Sequence, residues 1–198
     1  AERMRRTPPL AIISSDLERA AETARIVGEA CGVAVEHDAR LREVDLGAWT
    51  GKSYDQVAEL FPDEWRAWAD GVDVRRGGGE TYAELGDRMV ASIAAIGERF
   101  AHLEGRVLII SHGGSIKTWV SRLLGVTGPG AHALGSVTNV ALTLVEHDRR
   151  GRHRLCSWND TSHVEDLHDV AASSARLHGT EPSLTRASTR PASLTKPE

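Results

Sequence analysis

The sequence predicts an α/β fold, a three-layer α/β/α sandwich around a mostly parallel central sheet, and two segments carry that prediction. Leu10-Ala11-Ile12-Ile13 and Val107-Leu108-Ile109-Ile110 are apolar at every position. That is the pattern of strands covered on both faces, where a half-exposed strand would alternate. Each run leads into small polar residues or glycine and then into apolar residues at helical spacing, so each reads as a strand-to-helix unit. The length of 198 residues allows one core of this kind and is too long for a disulfide-stapled miniprotein.

Ala1-Glu2-Arg3-Met4-Arg5-Arg6 has the character of the last turns of a helix, stopped by Thr7-Pro8-Pro9. After the first strand, Leu17, Ala20, Ala21, Ala24, Val27 and Cys31 form one helical stripe that Gly32 ends. Ser15 with Glu18 has the spacing of a capping box at its start. Helices are expected over residues 53–61, opened by Ser53 and Gln56, and over 63–70. A longer one spans 81–100, with Thr81 and Glu84 as its box and Tyr82, Leu85, Met89, Ile93, Ile96 and Phe100 on one face. The second strand is followed by a helix carrying Ile116, Trp119, Val120, Leu123 and Leu124 on one face, ending at Gly125. Residues 137–146 and 154–158, joined by His147-Asp148-Arg149-Arg150-Gly151, read as a hairpin closing the sheet. Residues 1–170 are expected to form one domain. Residues 171–198, rich in Ser, Thr, Pro and Arg with only three leucines, are expected to be a disordered tail, because so little apolar surface does not offset the entropy of ordering it.

Twenty-four Lys and Arg against 28 Asp and Glu give a net charge of −4, so there is no basic field to collect nucleic acid by counterion release. Cys31 and Cys156 match neither a disulfide framework nor a metal spacing, and the nine histidines show no HxH or HExxH pattern. No metal or other cofactor is expected. No apolar run has the roughly 18 residues a membrane span requires, and a reducing, cytoplasmic setting follows as the expectation.

Ligands of open parallel sheets bind beyond the carboxyl ends of the strands, where helix N-termini present free N–H groups. Arg19 lies in the opening turn of a helix, where a cation opposes the macrodipole, and off the apolar stripe. An anion bound beside it would justify the misfit, since a guanidinium holds phosphate through two parallel hydrogen bonds; the plain alternative is a surface pair with Asp16 or Glu22. His112 follows the second strand directly and precedes Gly113 and Gly114. With a reference pKa of about 6.5, its imidazolium would be available near neutrality to meet a phosphoryl oxygen; the alternative is a histidine that caps the next helix. Within Leu41-Arg42-Glu43-Val44-Asp45-Leu46-Gly47-Ala48-Trp49-Thr50-Gly51, Glu43 is the candidate general acid, since a carboxylate in a partly apolar loop holds its proton more readily. A solvated Glu43 paired with Arg40 or Arg42 is the alternative. Gly77-Gly78-Gly79-Glu80-Thr81 is a flexible loop before a capped helix.

Together these segments resemble the histidine phosphatase superfamily, the phosphoglycerate-mutase-like enzymes. The likeness runs from about Leu10 to Val164. It rests on Ser14-Ser15-Asp16-Leu17-Glu18-Arg19-Ala20 with Glu22-Thr23-Ala24, on Leu41-Arg42-Glu43 with Gly47, Trp49 and Gly51, on Gly78-Gly79-Glu80-Thr81, and on Ser111-His112-Gly113-Gly114. The resemblance implies a phosphatase for a small phosphorylated metabolite that works through a phosphohistidine. Arg19 would bind the phosphoryl group, Glu43 would serve as proton donor and then base, His112 would stabilise the transition state, and Gly113 would offer a backbone N–H. Such enzymes open with a strand ending in Arg-His-Gly, whose histidine attacks phosphorus. No such strand precedes Leu10, so the expectation is an N-terminally truncated domain lacking its first strand and inactive as it stands. A non-catalytic phosphate-binding protein and a mutase-type phosphotransferase are the alternatives. The short segment between Glu43 and Gly78 favours the phosphatase. A homodimer is open as the one macromolecular partner.

Overall fold

The computed structural model describes residues 1–126, 131, 133–148 and 150–164. A short helix α1 (Glu2–Arg6) leads into β1 (Ala11–Ser14), α2 (Glu18–Cys31) and β2 (Val35–His37). Then come α3 (Tyr54–Leu60), α4 (Pro62–Ala69), α5 (Tyr82–Phe100), β3 (Val107–Ile110) and α6 (Gly113–Leu123), and last β4 (Leu142–His147) and β5 (His153–Asp160). The expected tail, 171–198, lies outside the described residues.

The first three strands form one parallel sheet in the order β2-β1-β3, with Ile12 opposite Val35 and Leu108. Strand side chains alternate between faces, and here both faces are covered. Ile13, Val107 and Ile109 point into a core built with Leu41 and the α5 residues Leu85, Met89, Ile93 and Ile96, while Trp119 of α6 packs at its edge. On the other face Ile12, Leu108 and Ile110 meet Ala24 and Val27 of α2, with Met4 of α1 packed alongside. This is the expected three-layer arrangement, and it explains why β1 is apolar throughout: all four of its residues are buried.

The boxes expected for α3 and α5 are both present, with reciprocal bonds between Ser53 and Gln56 and between Thr81 and Glu84, and Gly32 ends α2 in the left-handed region. Two expectations are corrected. The Ser15–Glu18 box does not form. Glu18 is the first residue of α2 and Leu17 its N-cap, without a side-chain cap bond. Ser15 is fully buried at the end of β1, where its Oγ accepts the Leu17 N–H at 3.2 Å. The hairpin does not close the parallel sheet either: β4 and β5 pair antiparallel with each other as a separate two-stranded sheet. Among the described residues β3 has β1 as its sole partner. β2 was not anticipated, since Val35-Glu36-His37 is too short and too polar to read as a strand.

Candidate active site

The chain leaves β1 through Ser14 and Ser15, both fully buried, and Ser14 Oγ donates to the Ser15 carbonyl at 2.8 Å. The next charges sort themselves by pairing. Asp16 accepts Arg42 Nε at 2.7 Å, and that guanidinium holds its carboxyl below the usual range. Glu22 accepts Arg25 Nη2 at 2.7 Å. The two carboxylates that could neutralise Arg19 are therefore taken, and among the described residues Arg19 makes no ion pair. It stands exposed in the first turn of α2, lining a shallow cleft of about 630 Å³ with His37 and Val35. The surface-pair alternative for Arg19 falls.

Glu43 is carried by a segment stapled to the start of α6. Leu41 anchors it, fully buried in the core, and Ser111 Oγ donates to the Leu41 carbonyl at 2.7 Å. Ser115 Oγ shares its proton between the Arg42 carbonyl at 2.8 Å and Glu43 Oε1 at 3.0 Å. The Gly114 N–H donates to Glu43 Oε2 at 2.9 Å and the Val44 N–H to Oε1 at 3.0 Å. A carboxylate at this place meets the free N–H groups and the positive end of a helix. Glu43 is thus held by backbone and hydroxyl donors; its alternative pairing with Arg40 or Arg42 does not occur, because those guanidinium groups bind Asp38 and Asp16. Glu43 also borders an open cleft of about 490 Å³ whose walls include Arg42, Arg75 and Arg88 as well as Asp45 and Glu80.

Behind this segment lies a clamp not foreseen from the sequence. Arg88 of α5 donates through Nη1 to the carbonyls of Arg40 at 2.6 Å and Arg42 at 3.0 Å. Its Nε and Nη2 meet the two oxygens of Glu80 at 2.9 and 2.7 Å. Glu80 in turn donates its N–H to the Asp45 carbonyl at 2.8 Å. Glu80 is therefore a partner of the segment that carries Glu43 and not a charge in the first turn of α5, since Thr81 is the N-cap.

His112 occupies the N-cap position of α6 but its side chain does not cap the helix. The ring is 7% exposed and its Nε2 lies 2.8 Å from Ser15 Oγ. Burial, and next the guanidinium of Arg19, push its pKa down to about 4, while Glu43 pulls it upward. Arg19 and Glu43, 24 residues apart in sequence, thus bear on one buried imidazole. The expected imidazolium near neutrality is corrected: with its pKa held down near 4, the ring is neutral at pH 7. Gly113 opens α6, where first-turn N–H groups have no helical acceptor. Ser115 and Arg88 escaped the sequence reading, and Ser15 and Ser111 carried no site role in it, because no pattern linked these residues across the chain. Trp65 and Trp68 lie 5.0 Å apart and pack on Trp49 and Tyr54; neither borders the two clefts.

Fold and site together define an α/β protein that gathers polar groups where the chain leaves the parallel strands β1 and β3. Residues 1–161 match the model of the histidine phosphatase superfamily (branch 1), and the chain belongs to that family. It is similar to the glucosyl-3-phosphoglycerate phosphatase of Mycobacterium tuberculosis, 33% identical over 177 residues, which are 83% of this chain and 79% of the relative. It is also similar to phosphoglycerate mutase-like protein 4 of Arabidopsis thaliana, 30% identical over 84% of this chain and 71% of that one. Among solved structures, the mycobacterial glucosyl-3-phosphoglycerate phosphatase in complex with inorganic phosphate superposes with a TM-score of 0.69 at 32% identity, over 83% of each chain.

Proposed function

We propose that this chain is a phosphomonoesterase for a small phosphorylated metabolite, acting through a phosphohistidine whose imidazole is supplied by a strand that is not among these residues. The observation that carries the reading is that a guanidinium without an ion pair among the described residues, Arg19, and a helix-held carboxylate, Glu43, both act electrostatically on one buried imidazole, His112. In the first step the attacking nitrogen forms a bond to phosphorus as the bond to the alcohol oxygen breaks. Glu43 gives that oxygen its proton. In the second step Glu43 takes a proton from water, whose oxygen attacks phosphorus, and inorganic phosphate leaves as the P–N bond breaks. Arg19, the Gly113 N–H and His112 hold the phosphoryl oxygens through both steps. The polar walls beside Glu43 suit a hydrophilic leaving group, a sugar or a glycerate derivative. Among the described residues the edge of β3 away from β1 is unpaired, which leaves room for a further parallel strand beside His112.

The test is phosphate release from an aryl phosphate by a chain extended with a strand ending in Arg-His-Gly. Turnover is expected, with Glu43→Gln and His112→Ala each lowering kcat/KM by about a hundredfold or more. Unchanged turnover in both variants removes the assignment. A phosphate-dependent rise in melting temperature without turnover would favour a protein that binds phosphorylated ligands and does not transform them.

A further inference from the structure

The buried pair of Ser15 and His112 goes beyond the roles assigned above. Ser15 is fully buried and lies 97 residues from His112, yet its Oγ is 2.8 Å from the ring Nε2. A serine hydroxyl has one proton to donate and two lone pairs to receive with. One lone pair of Ser15 is engaged by the Leu17 N–H at 3.2 Å. Among the described residues His112 Nε2 is the one acceptor within reach of the Ser15 proton. If Nε2 carried the hydrogen instead, the hydroxyl proton would be left buried without an acceptor, an arrangement native interiors avoid. The proton count therefore fixes the direction of the bond: Ser15 donates, and Nε2 is bare.

We propose that Ser15 is a positioning residue, which holds His112 as the Nδ1–H tautomer so that the anion pocket is served by a neutral N–H donor. Nδ1 makes no hydrogen bond among the described residues, so it is the ring nitrogen left to meet a ligand. Fixing a tautomer through the far nitrogen is how a partner of histidine sets which face donates. A neutral donor stands beside Arg19 without the repulsion an imidazolium would meet there, and it needs no proton uptake before an oxyanion arrives. The ligand half of the inference rests on the phosphatase reading; the tautomer half does not.

The experiment is nitrogen-15 NMR of the histidine rings in the full 198-residue chain at neutral pH, with the His112 signals identified by their loss in His112→Gln. A protonated Nδ1 and a bare Nε2 are expected. Ser15→Ala should abolish that preference and weaken inorganic phosphate binding about fivefold to tenfold, and Ser15→Thr, which keeps the hydroxyl, should restore both. A proton on Nε2 in the parent chain overturns the inference, even if Ser15→Ala does not fold. So does a tautomer unchanged in a folded Ser15→Ala. The expected tautomer in a ring that does not respond to inorganic phosphate upholds the inference for Ser15 and counts against the phosphatase reading.

Discussion

Gly114 shows how a single missing side chain shapes the site. A Cβ built there would lie 2.6 Å from Glu43 Oε1 and 3.1 Å from its Cδ. The two glycines after His112 suggest from sequence a backbone that a ligand approaches, but at Gly114 the group that approaches is the carboxylate of Glu43. Gly114→Ala should push Glu43 off the helix terminus, and in an extended, active chain it should lower kcat by an order of magnitude or more while the fold persists. Equal kcat in variant and parent would show that the contact does not set catalytic geometry. His112 supports a pH prediction. Its pKa is near 4 in the folded chain against 6.5 ordinarily, so between those values the unfolded chain binds the extra proton. Stability is then present above about 6.5 and is lost as pH falls toward 4, by on the order of 3 kcal/mol for this residue. His153, lowered by burial and then by His147, adds in the same direction. Urea unfolding from pH 7 to about 4 should show the decline, and His112→Gln should make it shallower; an identical slope would remove the assignment. Arg19 was legible because a cation opening a helix is a misfit. Ser15 was misread because Ser-x-x-Glu spacing cannot distinguish an N-cap from a turn that precedes one.

At the scale of elements, α5 does two jobs with two faces. Its apolar face closes the core against β1 and β3, and Arg88, one turn from the N-terminus of that core stripe, ties down the segment that presents Glu43. The Arg88 and Glu80 side chains are 23% and 16% exposed, shielded enough for the fork geometry to count. Arg88→Ala leaves Glu80 and two carbonyls without their donor and should cost about 2 kcal/mol, a fall of roughly 4–8 °C in Tm for a chain this long. Arg88→Lys, a point charge without the fork, should recover only part of it. Calorimetry on the two variants checks this, and equal Tm values for both and the parent would refute the clamp. The helix was legible from its 3.6-residue stripe and its box. The clamp was not, because Arg88, Glu80 and the carbonyls at 40 and 42 share no sequence signature.

Across the whole molecule, the β-strands divide into a covered sheet and a hairpin beside it. β1 is buried at all four positions, whereas every residue of β3 is half-buried. The layered core was legible because runs apolar on every position can hardly be anything but strands covered on both faces. The placement of the hairpin was not, since alternation in sequence says which strands exist and not which edges they meet. The hairpin rests on the helical layer through histidines: His147 sits over Gly97 of α5, where a Cβ would come within 2.8 Å of the ring, and His153 meets Trp119 of α6 edge-on at 5.8 Å. This arrangement predicts a hierarchy in hydrogen exchange. Amides of β1, bonded on both sides, should exchange slowest. Those amides of β3 that point away from β1 should exchange through local opening, orders of magnitude faster than their neighbours in the same strand. Gly97→Ala should lift the hairpin and speed exchange in β4 and β5 while leaving β1 unchanged. Uniform protection along β3 would mean that its far edge is covered, and the reading that reserves this edge for a further strand bearing the attacking imidazole would then fail.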